Sequence, residues 1–313
     1  LYSINNNLTF LAIKHWISAF RLRTLPLALA CIVMGNALAL SHIYFSWKIF
    51  FLTILTTSLL QILSNIANDY GDFVKGTDNE KRVGPMRTLQ SGVITKQQML
   101  MAIIILTFLS LFTGIWTIYE GTKDISVQSS LVLFFIGIGA ILAAITYTIG
   151  KKAYGYYGFG DFFVFIFFGI VGVMGSCYLQ SAEILISNLL PASAIGLLSV
   201  AVLNLNNMRD IVNDKASGKN TIVVKMGLSN AKKYHYFLIL CPVFLMLFFN
   251  YLTFSSYVDF IYLMVVPILF IHLNKIQKTD APQALDPELK KVALSTFFIS
   301  LLFFIGVILD FLI

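Results

Sequence analysis

The sequence predicts an all-α integral membrane protein, a bundle of about nine transmembrane helices, in one domain covering residues 1–313. Three observations lead there. Only 12% of the residues are charged and 58% are hydrophobic, whereas a soluble domain carries about 25% charged residues. So few charges cannot cover a soluble globule, while a lipid-facing surface needs none. Nine apolar stretches approach the roughly 20 residues that cross a bilayer. Finally, 20 of the 22 Lys and Arg residues fall on one side of the alternating loops.

The nine stretches are 25–41, 47–67, 98–119, 130–149, 159–180, 185–205, 235–253, 257–273 and 291–312. Ahead of them, residues 9–23 (TFLAIKHWISAFRLR) read as an amphipathic interfacial helix, or alternatively as a buried cap of the bundle. The basic side comprises the N-terminal segment and the loops 68–97, 150–158, 206–234 and 274–290, with Lys291 at the last edge. Only Lys48 and Lys123 fall on the other side. Positive charge marks the cytoplasmic face of membrane proteins, so these loops are expected in the cytoplasm. Topology thereby accounts for the net charge of +7, and no nucleic-acid motif accompanies it. No motif points to an obligate protein partner either. Cys31, Cys177 and Cys241 sit in apolar runs without metal-ligand spacing, which argues against a disulfide framework. His15, His42, His235 and His272 are dispersed, without a zinc or haem constellation.

The two longest loops each open on an acidic motif. The first is Asn65-Ile-Ala-Asn68-Asp69-Tyr-Gly-Asp72-Phe-Val-Lys-Gly76-Thr-Asp78. Asn68 and Asp72 are four apart and share a helical face, which Asn65 joins; Gly76 permits a turn that brings Asp78 back. In the second motif Asn206, Asp210 and Asp214 are four apart in series. Acids near a membrane interior are costly and rarely idle. Paired carboxylates are hard oxygen donors, suited to Mg²⁺, which takes one or two carboxylates plus substrate phosphates. Either motif alone reads most simply as a solvated helix cap. Two copies on one side, both with Asn and both followed by basic residues, read as two faces holding metal ions against one diphosphate.

Arg87, Lys151 and Arg209 are candidates to grip phosphate oxygens and stabilise a departing diphosphate; each is otherwise an ordinary positive-inside anchor. Tyr147 lies four before Lys151 and is expected on its face. Arg23, Lys215 and Lys219 are weaker candidates, the last two in what reads as a flexible loop around Gly218.

These motifs resemble those of the UbiA superfamily of membrane prenyltransferases, whose patterns are Asn-x3-Asp-x3-Asp and Asp-x3-Asp. Here the first pattern is Asn68, Asp72 and Asp78, with two extra residues before the last Asp. That longer form resembles the 1,4-dihydroxy-2-naphthoate polyprenyltransferase branch. So do the stretches RLRTLPLALA (21–30), NDYGDFVKGTDNEKRVGPMRTLQSG (68–92), KKAYGYYGFGDFFVFIFFG (151–169) and NNMRDIVNDKASGKNTIVVKMG (206–227). Met86 departs from the pattern, standing where a basic residue is expected beside Arg87.

The resemblance implies a nine-helix bundle around a central cavity closed by cytoplasmic cap loops, in the bacterial inner (plasma) membrane, with the active site facing the cytoplasm. It implies Mg²⁺ held by Asn68, Asp72, Asp78, Asp210 and Asp214. Tyr147 and Lys151 match a Tyr-x3-Lys element near the diphosphate, so Asp72, Asp210, Lys151 and Tyr147 are the expected catalytic residues. The implied reaction joins a polyprenyl group from its diphosphate to 1,4-dihydroxy-2-naphthoate, with loss of CO₂, giving demethylmenaquinol. The alternatives are another aromatic acceptor, such as 4-hydroxybenzoate or homogentisate, which the long Asp72–Asp78 spacing disfavours, and an ion-coupled transporter. Transporters place such acids near the bilayer midplane, whereas both motifs here lie at helix ends. A CDP-alcohol phosphotransferase would need a dense Asp-Gly-Ala-Arg motif, which the sequence does not contain.

Overall fold

A computed structural model of the protein describes residues 14–40, 45–79, 83, 84, 86–279 and 281–312. Residues 9–13 of the expected interfacial helix, and Lys81 and Arg82 of the basic tally, lie outside the described residues. Among the described residues, nine helices are long and apolar enough to cross a membrane. They are α1 (Lys14–Ala39), α2 (Trp47–Val74), α3 (Lys96–Thr122), α4 (Val127–Thr146), α5 (Gly160–Ser181), α6 (Ile186–Ala216), α7 (Ile222–Thr253), α8 (Tyr257–Lys278) and α9 (Pro282–Asp310).

The expected count and order hold, and the ends differ. The apolar runs stop where charged residues begin, but helical hydrogen bonding does not. α2 runs on to Val74 and α6 to Ala216, so both acidic motifs sit on the last turns of spanning helices rather than in loops. With α7 starting at Ile222, the expected loop 206–234 shrinks to residues 217–221. α1 is interrupted at Arg21, whose backbone is left-handed (φ 50°), before it resumes as Leu25–Ala39 with Pro26 in the first turn. Trp16 and Phe20 pack against the α2–α3 core and Ala19 is buried in it. The described part of the N-terminal segment is therefore a cap docked on the bundle.

α6 is the most enclosed helix: 56% of its apolar window is buried, against 6% for α4, which faces outward. α6 packs against α7, α9, α1 and the middle of α5. There α5 is wound as a π-helix over Phe165–Met174. A Cβ on Gly169 would lie 2.7 Å from the Ala192 carbonyl and 2.8 Å from the Gly196 Cα. Only small residues allow two backbones to approach this closely, a common device of helix contacts in lipid. At the end of the bundle away from the motifs, Lys48 and Lys123 both pair with Glu120.

Candidate active site

The two acidic motifs close their helices with the same turn. Asn68, Asp72 and Gly76 repeat the spacing of Asp210, Asp214 and Gly218. At the end of α2 the Asp72 carbonyl accepts from the Thr77 amide (2.9 Å), and the Gly76 amide donates to Phe73 (3.1 Å). At the end of α6 the Asp214 carbonyl accepts from the Lys219 amide (2.8 Å), and the Gly218 amide donates to Lys215 (3.3 Å). Both are Schellman turns, which need a left-handed residue after the cap; Gly76 (φ 73°) and Gly218 (φ 72°) supply it. The expected return of Asp78 follows from this turn, since its amide also reaches the Asp72 carbonyl (3.4 Å). The expected flexibility around Gly218 does not: the same turn fixes Lys219, which is 6% exposed.

Asp72, Asp78, Asp210 and Asp214 are all buried. Asp72, Asp210 and Asp214 sit on the last turns of their helices, where the helix dipole is negative and carboxylates are disfavoured. Such a cluster needs cations. Lys219 provides one, with its ammonium 3.5 Å from Asp72 Oδ2. Burial works against its charge, but Asp72 and Asp214, with the phenols of Tyr147 and Tyr156, outweigh it and hold Lys219 above the ordinary lysine range.

Tyr156, from the short 3₁₀ turn Tyr154–Tyr157, is the hub between the two helix ends. Its hydroxyl donates to Asp72 Oδ1 (2.8 Å) and accepts from the Thr77 hydroxyl (2.5 Å). Its ring lies under the Lys75 ammonium (3.9 Å to the centroid) and near that of Lys219 (5.3 Å). Its carbonyl accepts from the Asn220 amide (3.0 Å). Burial, and then the Asp72 charge, push its phenol pKa up, so it remains a donor at neutral pH. Asn213 completes the stitch between the motifs, donating to the Thr77 carbonyl (2.9 Å).

The guanidinium groups are held by acids. Arg209, 1% exposed, donates to both oxygens of Asp210 (3.0 and 2.6 Å), to Asp286 (2.5 Å) and to Asn206 (2.7 Å). Arg23 approaches the other Asp286 oxygen (3.8 Å). Arg87 lies between Asp69 (3.2 Å) and Asp78 (3.9 Å), and Asp69 also pairs with Arg21. Beside this group opens a cavity of about 290 Å³ whose lining includes Arg21, Arg23, Arg87, Asp69, Ile17 and Met86.

The structure thus gathers Asp72, Asp214 and Lys219, with Tyr147 close enough to feel their charges. Burial, opposed by Lys219 and reinforced by Asp72, pushes the Tyr147 phenol up to about 12. The shared Tyr147–Lys151 face does not form. α4 ends at Thr146 with Tyr147 as its cap, Gly150 turns the chain (φ 101°), and Lys151 is exposed. Asn65 does not serve the acidic face either: it donates to the Phe20 carbonyl (3.0 Å) and Thr24 (2.9 Å), tying down the N-terminal cap. Sequence reasoning missed Asp69, Tyr156 and Asp286. Asp69 lay inside the motif and Tyr156 inside a family-like stretch; Asp286 had the signature of a helix start, Asp-Pro-Glu.

The donor set fits a hard divalent cation. Asn68 Oδ1 and Asn213 Oδ1 are buried without a hydrogen-bond partner, a costly state for a carbonyl oxygen that cation ligation relieves. Among the described residues no three acidic, His or Cys side chains converge on one point.

A membrane bundle with two matched carboxylate-bearing helix ends at one mouth defines a class, and the comparisons specify it. The model of the UbiA prenyltransferase family matches residues 28–308, and the chain belongs to that family. It is 40% identical to the 1,4-dihydroxy-2-naphthoate octaprenyltransferase of Escherichia coli K12, over 94% of this chain and 95% of that one. It is 39% identical to the enzyme of the same name from Haemophilus influenzae, covering 95% and 96%. The fold superposes on a UbiA homologue from Archaeoglobus fulgidus solved with DMAPP and Mg²⁺ (TM-score 0.66, 17% identity, 96% of this chain and 99% of that one).

Proposed function

We propose that this protein transfers a polyprenyl group from an all-trans-polyprenyl diphosphate to 1,4-dihydroxy-2-naphthoate, releasing diphosphate and CO₂ and giving demethylmenaquinol. The observation that carries the reading is the pair of matched helix ends, which bring buried carboxylates and a buried ammonium to one mouth of the bundle. The Escherichia coli and Haemophilus influenzae relatives support naphthoate as acceptor. The Archaeoglobus fulgidus homologue, solved with DMAPP and Mg²⁺, supports a prenyl diphosphate donor and the metal.

Asn68, Asp72, Asp78, Asp210 and Asp214 hold Mg²⁺, which supplies charge neutralisation for the departing diphosphate. Lys219 offsets the charge of Asp72, so that the mouth accepts an anion. Arg87, Arg209 and Lys151 are the candidate contacts of the diphosphate oxygens, Tyr156 orients Asp72, and Tyr147 stands within reach of the charges of Asp72 and Lys219. When the C1–O bond of the prenyl diphosphate breaks, its electron pair leaves with diphosphate. The electron-rich ring then attacks C1, and the ring carboxyl departs as CO₂. The apolar bundle keeps water from the allylic cation.

The test is incubation of membranes carrying the protein with naphthoate, polyprenyl diphosphate and Mg²⁺, with mass spectrometry of the product. Demethylmenaquinol is expected; prenylated 4-hydroxybenzoate in a parallel incubation, with no naphthoate product, would overturn the acceptor. EDTA should abolish turnover and Mg²⁺ restore it; full activity in chelator rules out a metal-held diphosphate. The site faces the cytoplasm of a bacterial inner membrane, in keeping with the distribution of basic residues. A cysteine at position 123 should react only from the periplasmic side, and labelling from the cytoplasm alone inverts the topology.

A further inference from the structure

Two of the histidines that are scattered in sequence meet in the fold, in a buried chain that crosses four helices. Asn204 (α6), His235 (α7), His272 (α8) and Glu288 (α9) are each no more than 1% exposed. Asn204 Nδ2 lies 3.2 Å from His235 Nδ1, His235 Nε2 lies 2.7 Å from His272 Nε2, and His272 Nδ1 lies 2.6 Å from Glu288 Oε2. Lys275 and Lys291 both approach the other oxygen of Glu288, at 2.9 Å each.

One assignment of protons satisfies every contact. Glu288 accepts from both lysines and from His272 Nδ1–H, which makes it a carboxylate. His272 Nε2 then accepts from His235 Nε2–H, and His235 Nδ1 accepts from Asn204, whose second N–H serves the Ala231 carbonyl (3.2 Å). Both imidazoles are neutral in this arrangement. An extra proton on either one sets two donors face to face, unless Asn204 turns its amide over and gives up Ala231. Both imidazoles and the Glu288 carboxylate are matched, while Asn204 Oδ1 is buried without a partner; the matched groups tie α7, α8 and α9 into one geometry.

The chain ends beside the second acidic motif. Glu288 and Asp286 share the first turn of the final α-helical stretch, Asp286–Asp310, and Asp286 accepts from the Arg209 guanidinium that grips Asp210. We propose that Glu288, His272 and His235 are positioning residues for Asp210, acting through Asp286 and Arg209. The relay sets one side of the α9 turn and Arg209 the other. Small displacements of a group aimed at a reacting centre are costly, so loosening the turn costs catalysis before it costs folding. The proposal rests on the reading of Asp210 as a ligand of the metal–diphosphate.

The experiment is a double-mutant cycle on the full-length enzyme, with E288Q, D286N and their combination. Gln keeps the shape and an acceptor for His272, and removes the charge that gathers the lysines. Two quantities are read: kcat and KM for prenyl transfer, and the Kd of polyprenyl diphosphate with Mg²⁺ by titration calorimetry, which needs no turnover. E288Q should lower kcat about five- to tenfold with KM for naphthoate unchanged, and D286N should lower it further. The double variant should be no worse than D286N alone, in kcat and in Kd alike, because coupled residues do not add. H272Q, which can donate and accept as the imidazole does, is the second variant and should lose less than H272L. Additive losses, or a fall in melting temperature with kcat and Kd untouched, overturn the proposal. If wild-type protein makes no naphthoate product, the proposed function fails, while the coupling in Kd still decides the positioning role.

Discussion

The end of α2 and the end of α6 are built alike up to their glycines and differ in the residues that follow. After Gly76 the chain continues with Thr77 and Asp78, which return to the Asp72 carbonyl and add a hydroxyl and a third acid. After Gly218 it continues with Lys219, whose ammonium crosses to Asp72 at the other helix end, and Asn220, whose amide donates to the Tyr156 carbonyl on the turn between the two ends. The first motif therefore accumulates negative charge and the second brings positive charge to it. Asp210 is handled differently again, by Arg209 from its own helix turn, which is in turn held by Asp286. One local turn, used twice, yields two ends that depend on each other, and this dependence is open to test.

The largest expected effect is the loss of an acid from either end. Asp72→Ala and Asp210→Ala should each cost about 10³ in turnover, roughly 4 kcal/mol, because each weakens stabilisation where charge develops on the leaving diphosphate. The protein should still insert and fold, but each variant leaves a buried cation short of a partner, Lys219 beside Asp72 or Arg209 beside Asp210, and should lower the melting temperature. Product formation and melting temperature measured together decide between the roles. Near-normal turnover in both variants would end the paired-motif mechanism.

Lys219→Met asks whether the second end serves the first. The methionine keeps the buried stem and removes the ammonium. Turnover should fall roughly 30-fold, about 2 kcal/mol, and KM for the prenyl diphosphate should rise, because Asp72 then repels the incoming anion. Equal KM values for the two proteins would mean that Lys219 only packs. Tyr156→Phe removes the donor to Asp72 and leaves the ring. A loss of about tenfold, ~1.4 kcal/mol, is expected for one hydrogen bond to a charged acceptor. A change below twofold would reduce Tyr156 to a spacer between the helix ends.

How much of this the sequence carries follows from the range of the forces involved. The nine spans were legible because a bilayer imposes length and apolarity on every helix separately. Asp72 and Asp78, and Asp210 with Asp214, were legible because helical spacing and one glycine place them locally. The ends of α2 and α6 were not, because the hydrophobic signal stops at the first charge while the backbone ladder continues to Gly76 and Gly218. Lys219 was misplaced for the same reason, since a Schellman turn reads as a flexible loop until its hydrogen bonds are seen. Tyr156, Asp286 and the His235–His272 contact join segments far apart in the chain, and no local pattern announces such meetings. The π-helical winding of Phe165–Met174 coincides with the close packing of Gly169 on Gly196, and that meeting of distant segments has no periodic signature in the sequence.

The smallest effect is expected at Lys151, and it sharpens the contrast between a cation the fold builds in and one it leaves outside. Lys151 and Lys219 are both lysines on the motif side of the bundle, and sequence reasoning ranked Lys151 higher. The structure reverses their burial: Lys219 is enclosed against Asp72, whereas Lys151 is exposed on the turn after α4. An exposed ammonium acts through water, so its attraction for a diphosphate is screened over about 8 Å at physiological ionic strength, and holding its long chain in one place costs entropy. Lys151→Ala should therefore lower kcat/KM less than fivefold, with the loss shrinking as salt is raised, while the Lys219→Met deficit persists in salt. The measurement is kcat/KM for both variants across a salt series. A Lys151→Ala loss that matches Lys219→Met and resists salt would mean that the 150–153 turn closes over the bound diphosphate and desolvates Lys151 there.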